Sequence, residues 1–384
     1  MESFVKKLNI QTALESNRLD SIEELLTHPV SEISNKLKIT QDQTDELLYL
    51  AANEHYSWKE HLKPASTISS TYLSTNDPGL DAILGGKGIP IGSITEIVGE
   101  SSSGKTQMCL QLCFSVQKPK YLDGLNGDAV YLYSEGKFST VRCHQLATYF
   151  EQKYNISNDK LKQHIHTLNI SDPDSLFRAI AYQLPILLER SKLLKRKIKL
   201  VVIDSIGATY RGLYSKNDLQ KNTSSSTSMQ PLATTTKTAN DHRKENFEQL
   251  NEICDLGVKL KKLAQQYQLA IVVVNQVSDK VDSSSVLNIY NTSINEDINQ
   301  WLDVKWITSP QSTNQVSLSM FMSSLAKRPT LGITWSNSVT TRIRMVRSPL
   351  SDHQPTKRAL FIENAPHIPR LGGEVFIDDN GIHA

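Results

Sequence analysis

Cysteine is scarce. The 384 residues contain four, Cys109, Cys113, Cys143 and Cys254, with no Cys-x-x-Cys pair. That spacing excludes a disulfide framework or a cysteine-built zinc site, and reads as reduced, mostly buried small residues of an intracellular protein. Long hydrophobic runs are also missing. The longest uninterrupted aliphatic stretch is Leu269–Val274, far short of the roughly 18 apolar residues of a membrane-spanning helix. Met1-Glu2-Ser3-Phe4 carries neither a basic cluster nor an apolar core, so a secretory signal is not expected. Net charge is nearly absent too, at +2 from 42 basic and 40 acidic residues. With 39% hydrophobic and 21% charged residues the balance is that of a globular chain, which excludes wholesale disorder. At roughly 100–200 residues per domain the length suggests about two domains.

The charge is unevenly spread. Residues 1–60 hold 6 Lys+Arg against 11 Asp+Glu, leaving 36 basic and 29 acidic residues in the remainder. An acidic head could favour a basic partner and a basic body a polyanion, or both could be solvated surface. Within the head, Leu19, Ile22, Leu25 and Leu26 follow helical spacing. Ser21-x-x-Glu24 and Thr40-x-x-Gln43 have the form of capping boxes. The spacing predicts a small all-helical domain over 1–60, then a linker at 61–74 and a second domain over 75–384.

In that second domain apolar runs alternate with helical patterns. Strands are predicted at Ile94–Val98, Ala129–Tyr133, Ile198–Ile203 and Leu269–Val274. Helices are predicted from Gly104 to Gln117, over Leu176–Leu188 with a kink or stop at Pro185, and along the face Leu250, Ile253, Gly257, Leu260, Ala264 and Tyr267. Near-continuous β-branched runs fit buried parallel strands. At the end, Arg342–Val346, Ala359–Ile362 and Glu374–Ile377 follow one another without helices between them, which suggests an antiparallel addition. The fold class is therefore α/β, with a mostly parallel sheet. Long loops are expected at about 212–243, which includes the Ser/Thr-rich tract Asn222–Asn240, and at about 278–329.

The strongest motif is Gly99-Glu100-Ser101-Ser102-Ser103-Gly104-Lys105-Thr106, a GxxxxGK[ST] sequence between a predicted strand and a predicted helix. Small residues let successive backbone N–H groups curl around phosphates, and the helix N-terminus adds partial positive charge. Lys105 is placed to reach the β and γ phosphates, and Thr106 to offer its hydroxyl to magnesium. Asp204, ending its strand, is placed to hold the magnesium shell or simply to cap the next turn. Glu135, just past a neighbouring strand, is a candidate to activate water, or an exposed turn residue. Gln276 is a candidate γ-phosphate sensor, since an amide accepts from water and donates to a phosphate oxygen at once; the alternative is a sheet-edge hydrogen bond.

Several segments resemble the eukaryotic RecA-like recombinases. They are Gly79-Leu-Asp-Ala-Ile-Leu-Gly-Gly86, Ile94-Thr-Glu-Ile-Val-Gly-Glu100 with the phosphate loop, Tyr131-Leu-Tyr-Ser-Glu135-Gly-Lys-Phe138, Ile203-Asp-Ser205, Val274-Asn-Gln-Val277 and Leu331-Gly-Ile-Thr-Trp-Ser336. The Gly-Ile-Thr-Trp-Ser segment with its following Thr-Arg pair, and the Ser-rich loop, look like the paralogue branch of the Rad-fifty-seven and X-ray-repair-cross-complementing proteins. The resemblance implies a RecA-like P-loop ATPase core binding ATP and Mg2+, with Lys105, Glu135 and Gln276 catalytic. It implies that Arg142 stacks on the adenine and that the segment with Pro366 and Pro369 caps an adjacent subunit's nucleotide. DNA contact would fall to Arg211, Tyr214 and Lys216.

Departures from the family accompany these matches. The first DNA loop carries the Ser/Thr tract, and its most DNA-associated arginine falls near Asn217. The second is remodelled, the cap acid is Asn364, and Leu62-x-x-Ala65 only weakly substitutes for the polymerisation motif. These changes argue against self-polymerisation and independent strand exchange. The implied function is a nuclear mediator of homologous recombination with weak ATPase activity. It would pair with another recombinase paralogue, bind single-stranded DNA, assist the strand-exchange recombinase filament and have no membrane partner. A stand-alone motor ATPase and a structural adaptor with a vestigial nucleotide site are the competing readings.

Overall fold

A computed structural model of the chain describes residues 2–55, 70–210, 239–278, 301, 303–307, 318–349 and 355–384. The chain divides into two compact units, Met1–Ser70 and Thr71–Ala384. Most of the expected linker, and the DNA-contact candidates Arg211, Tyr214 and Lys216, lie outside the described residues.

The first unit holds helices α1 (Glu2–Leu8), α2 (Gln11–Ser16), α3 (Ile22–Thr27), α4 (Val30–Leu37) and α5 (Gln41–His55). Ser21 Oγ accepts from Glu24 N at 3.3 Å, one half of a capping box. At Thr40 both halves form: Gln43 N donates to Thr40 Oγ1 at 3.3 Å and Thr40 N to Gln43 Oε1 at 3.0 Å. Leu14, Leu19, Leu25, Ile33, Leu37 and Leu47 meet in one apolar core. Full burial of each such side chain contributes roughly 1.5–3 kcal/mol.

The second unit is built on a large sheet. Its strands are β1 (Tyr72–Leu73), β2 (Ile89–Pro90), β3 (Ser93–Gly99), β4 (Asp128–Tyr133), β5 (Ile165–Asn169), β6 (Ile198–Asp204), β7 (Ala270–Ser278), β8 (Lys305–Ile307), β9 (Arg328–Pro329), β10 (Thr341–Arg347), β11 (Arg358–Asn364), β12 (Leu371–Asp378) and β13 (Gly381–His383). β1 and β2 form a separate pair, and the main sheet runs β13-β12-β11-β10-β3-β7-β6-β4-β5, with β8 on β12 and β9 on β7. β10 joins β3 in parallel, so antiparallel pairing starts only at β11. Several strands went unpredicted: β1, β2, the edge strand β5, β13, and β8 and β9, which lie inside the stretch expected to be a loop at 278–329.

Helices α6 (Pro78–Ile83), α7 (Lys105–Ser115), α8 (Thr140–Tyr154), α9 (Asn158–Gln163), α10 (Pro173–Arg178), α11 (Leu184–Lys192), α12 (Ala239–Tyr267), α13 (Met322–Leu325) and α14 (Gly332–Ser336) complete the unit. α12 begins inside the expected 212–243 loop. Pro185 does not end the helical run, which continues to Lys192. It sits at the start of α11, and the preceding turn, Ala179–Gln183, widens to a π-helix. A proline lacks the N–H that an interior position would donate, so a first-turn position suits it.

The central strands alternate faces. Ala129 and Tyr131, Leu200 and Val202, and Val272 and Val274 point into the layer that holds α7. Val130 and Leu132, Val201 and Ile203, and Ile271 and Val273 point into the layer that holds α12. Two covered faces explain why these strands read as continuous apolar runs. The basic segment Lys192–Lys199 is tied into the fold. Arg196 donates to Asp128 Oδ1 at 3.1 Å and to the carbonyls of Gln117 and Gly127 at 3.2 Å, and Lys199 donates to Gln268 O at 3.2 Å.

Candidate functional site

Sheet register aligns the candidate residues. Gly99, the last residue of β3, lies opposite Gln276 of β7. On the next strand Asp204 lies opposite Val274, and beyond it Tyr133 lies opposite Asp204. Four carboxyl-terminal strand ends therefore open onto one cleft of about 540 Å³, lined by Lys105, Thr106, Glu135, Arg142, Asp204 and Gln276 among others. A parallel sheet places its loops and ligands at this edge.

The loop from Gly99 to Gly104 enters α7 with Ser102 at φ +64° and Gly104 at φ +108°. A side chain at Gly99 would run into the Met345 carbonyl, and one at Gly104 would lie 2.9 Å from Ile377. Gly99 is thus required by space, and Gly104 by backbone angle. Lys105 is 9% exposed. Its ammonium donates to the carbonyls of Gly99 at 2.8 Å and Glu100 at 2.6 Å. Burial pulls its pKa below the ordinary lysine range, opposed by the charges of Asp204, Glu135 and Glu100.

Thr106 Oγ1 donates to Asp204 Oδ2 at 2.8 Å. The same oxygen accepts from the Tyr131 hydroxyl at 2.6 Å. Burial, and then the Asp204 charge, push the Tyr131 phenol well above its ordinary range, so it stays a donor. Gln276 Nε2 donates to Glu135 Oε1 at 2.9 Å. The peptide after Asp204 is tied to the β4 end: Ser205 N donates to Ser134 Oγ at 2.9 Å, and Ser134 Oγ to Ser205 O at 2.8 Å. Arg142 reaches across the cleft mouth. It donates to Gln107 Oε1 at 2.7 Å and to the carbonyls of Asp378 and Asp379, at 2.5 and 3.1 Å.

Some participants were not singled out from the sequence. Arg347 Nε donates to Ser101 O at 3.0 Å and Arg358 Nε to Ser102 O at 3.1 Å, gripping the outer carbonyls of the loop. These arginines are cross-strand neighbours. Burial, and then the Arg347 charge, lower the Arg358 pKa. Glu100 is held by Lys327 Nζ at 2.6 Å and lies 3.7 Å from Arg347. No local spacing links residues 347 and 358 to residue 101; only the sheet order does. Tyr131 stood in a quoted motif, but its hydroxyl's target depends on the β4–β6 pairing.

The β3–β10 pairing, which sets Arg342 opposite Glu96, gives a physical basis for the Trp335 and Arg342 of the motif. Trp335 Nε1 donates to Glu96 Oε1 at 2.9 Å, Arg342 Nε to Glu96 Oε2 at 2.6 Å, and Arg342 Nη2 to Ser336 Oγ at 2.7 Å. A buried carboxylate collects polar groups from two distant segments. Among the described residues, no group of three or more His, Cys, Asp or Glu is arranged to hold a metal ion, and no helix is long and apolar enough to cross a membrane.

Comparison with known proteins agrees with this architecture. Residues 68–243 match the Rad51 family model. The chain is 30% identical over 391 residues to the DNA repair protein rhp57 of Schizosaccharomyces pombe, covering 100% of this chain and 98% of that protein. It is 30% identical over 335 residues to the DNA repair protein XRCC3 homolog of Arabidopsis thaliana, covering 81% and 92%. It is 37% identical over 210 residues to the DNA repair protein RAD57 of Saccharomyces cerevisiae, covering 54% and 39%. The chain belongs to the Rad51 family, as a paralogue of the eukaryotic RecA-like recombinases.

Proposed function

We propose that this protein is an ATP- and magnesium-binding mediator of homologous recombination in DNA repair. It works in the nucleus, paired with another recombinase paralogue, and stabilises a strand-exchange recombinase filament on single-stranded DNA. The observation that carries the nucleotide part is the shared register of Gly99, Gln276, Asp204 and the β4 end around one cleft. Loop amides and Lys105 take the phosphates. Thr106 and Asp204, hard oxygen donors 2.8 Å apart, suit magnesium, which keeps most of its shell for water and phosphate. Glu135 orients water and Gln276 reads the γ-phosphate. Arg142 supplies a planar guanidinium at the cleft mouth for the adenine.

The recombination part rests on the relatives, whose names identify them as DNA repair proteins. The mediator role, rather than autonomous strand exchange, rests on the altered DNA loops and on Asn364 standing where the family has an acid. Two measurements test the proposal. Calorimetry of the purified complex should show uptake of ATP with magnesium. Single-strand affinity should rise steeply as salt falls, because phosphate contacts release counterions. A complex with no single-strand binding at low salt rejects the DNA role. Unchanged repair and partner affinity in Lys105→Ala favours the adaptor reading.

A further inference from the structure

Glu96 lies on β3, three residues before the phosphate loop, and is 0% exposed. A buried carboxylate is strongly unfavourable unless every lone pair finds a donor. Here Oε2 accepts from Arg342, and Oε1 accepts from both Trp335 Nε1 and Asn275 Nδ2, the latter at 2.8 Å. A carboxylate can only accept, so it fixes which way the Asn275 amide faces. The nitrogen must point to Glu96 and the oxygen away. That oxygen accepts from the Gln276 backbone N–H at 2.8 Å and from Thr330 Oγ1 at 2.8 Å. Thr330 N in turn donates to Gln276 O at 3.0 Å. Both backbone groups of Gln276 are thereby pinned, and its side chain meets Glu135. Space around the amide is tight: a Cβ at Gly207 would lie 2.8 Å from Asn275 Oδ1.

We infer that Glu96 is a positioning residue for the γ-phosphate-reading amide: it orients Asn275, and Asn275 sets Gln276. The inference rests on the proposed nucleotide reading of this cleft. Replacing Glu96 by glutamine introduces a donor of similar shape. The Asn275 amide can then turn over, and its NH2 would face the Gln276 N–H, donor against donor. Gln276 must shift, whereas the phosphate loop is left in place.

The test is the ratio of ATP to ADP affinity with magnesium, measured on the full chain in its purified complex. Glu96→Gln should lower the ratio about 3- to 10-fold, the worth of one hydrogen bond, with ADP affinity unchanged. Gly207→Ala crowds the same amide without touching the charge and should lower the ratio in the same direction. It also serves if Glu96→Gln proves insoluble. Trp335→Phe removes one donor but leaves Asn275 and Arg342 in place, so it should lower thermal stability and keep the ratio. An unchanged ratio in Glu96→Gln, or in Gly207→Ala where that variant replaces it, overturns the inference. So does an equal fall in Trp335→Phe, which would mark a packing effect. Wild-type complex that binds both nucleotides equally, or neither, refutes γ-phosphate reading itself and is seen before any variant is made.

Discussion

The two halves of the main sheet do different work. β7, β6 and β4, all parallel, deliver Gln276, Asp204 and Glu135 to the cleft. On the other side of β3, β10 and β11 deliver arginines that do not share that row: Arg342 to Glu96, and Arg347 and Arg358 to the outside of the phosphate loop. One half presents Gln276, Asp204 and Glu135 to a ligand; the other chiefly braces the scaffold, although Arg358, Ile377 and Asp378 also line the cleft. Parallel strands end together at one edge, so they can pool functional side chains. β10 is parallel as well, but β11 and β12 alternate direction and reach that edge only every second time.

This division is open to attack by substitution. The largest effect is expected on the bracing side. Arg342→Met leaves Glu96 buried without its charge partner, and burial against Arg342 is already more than offset by Glu96 and Glu363. Stability should fall by about 3–5 kcal/mol in denaturant unfolding. On the presenting side, Lys105→Ala should weaken magnesium–ATP binding roughly 100-fold, since charge-assisted contacts to phosphate vanish. Its unfolding midpoint should barely move, because burying that ammonium is itself unfavourable. If Lys105→Ala unfolds the protein, or Arg342→Met leaves it as stable as before, the division is wrong.

A smaller effect should follow Tyr131→Phe, which removes one hydrogen bond to Asp204. Nucleotide affinity should drop about 3- to 10-fold at limiting magnesium, with the loss recovered at saturating magnesium. The smallest concerns the far edge. Burial pushes the Asp128 carboxyl up, but bonds from His166 and Arg196 and the charge of His164 hold it below the ordinary carboxylate range. A folded-state value below the unfolded one adds stability above the ordinary carboxylate pKa, and that stability is lost as pH falls through the depressed value. Asp128→Asn should flatten this acid limb of a stability–pH curve, by about 1 kcal/mol, without touching nucleotide affinity.

How much of this was legible in the chain depended on how local the signal was. The phosphate loop, its flanking strand and helix, and the apolar β-strands are contiguous and could be read directly. Asp204, Glu135 and Gln276 could be placed at strand ends, and the structure brings them together. The roles assigned to them remain proposals. β5 was missed because four of its five residues are exposed, so it carries no apolar run. β8 and β9 were missed because a two- or three-residue strand has no period to detect. Arg347, Arg358 and the partner of Tyr131 were invisible for a different reason: each acts on a residue that only the strand order makes a neighbour.

One fastening bears on how the molecule comes into being. Gln111, halfway along α7, holds β13 like an extra strand: its nitrogen donates to Ile382 O at 2.8 Å and its oxygen accepts from Ile382 N at 2.7 Å. With Arg358 on Ser102, the phosphate loop is clasped by a segment 256 residues further along the chain. A ribosome must therefore add those further residues before this clasp can shut, and the growing chain waits until then for a fully formed cradle.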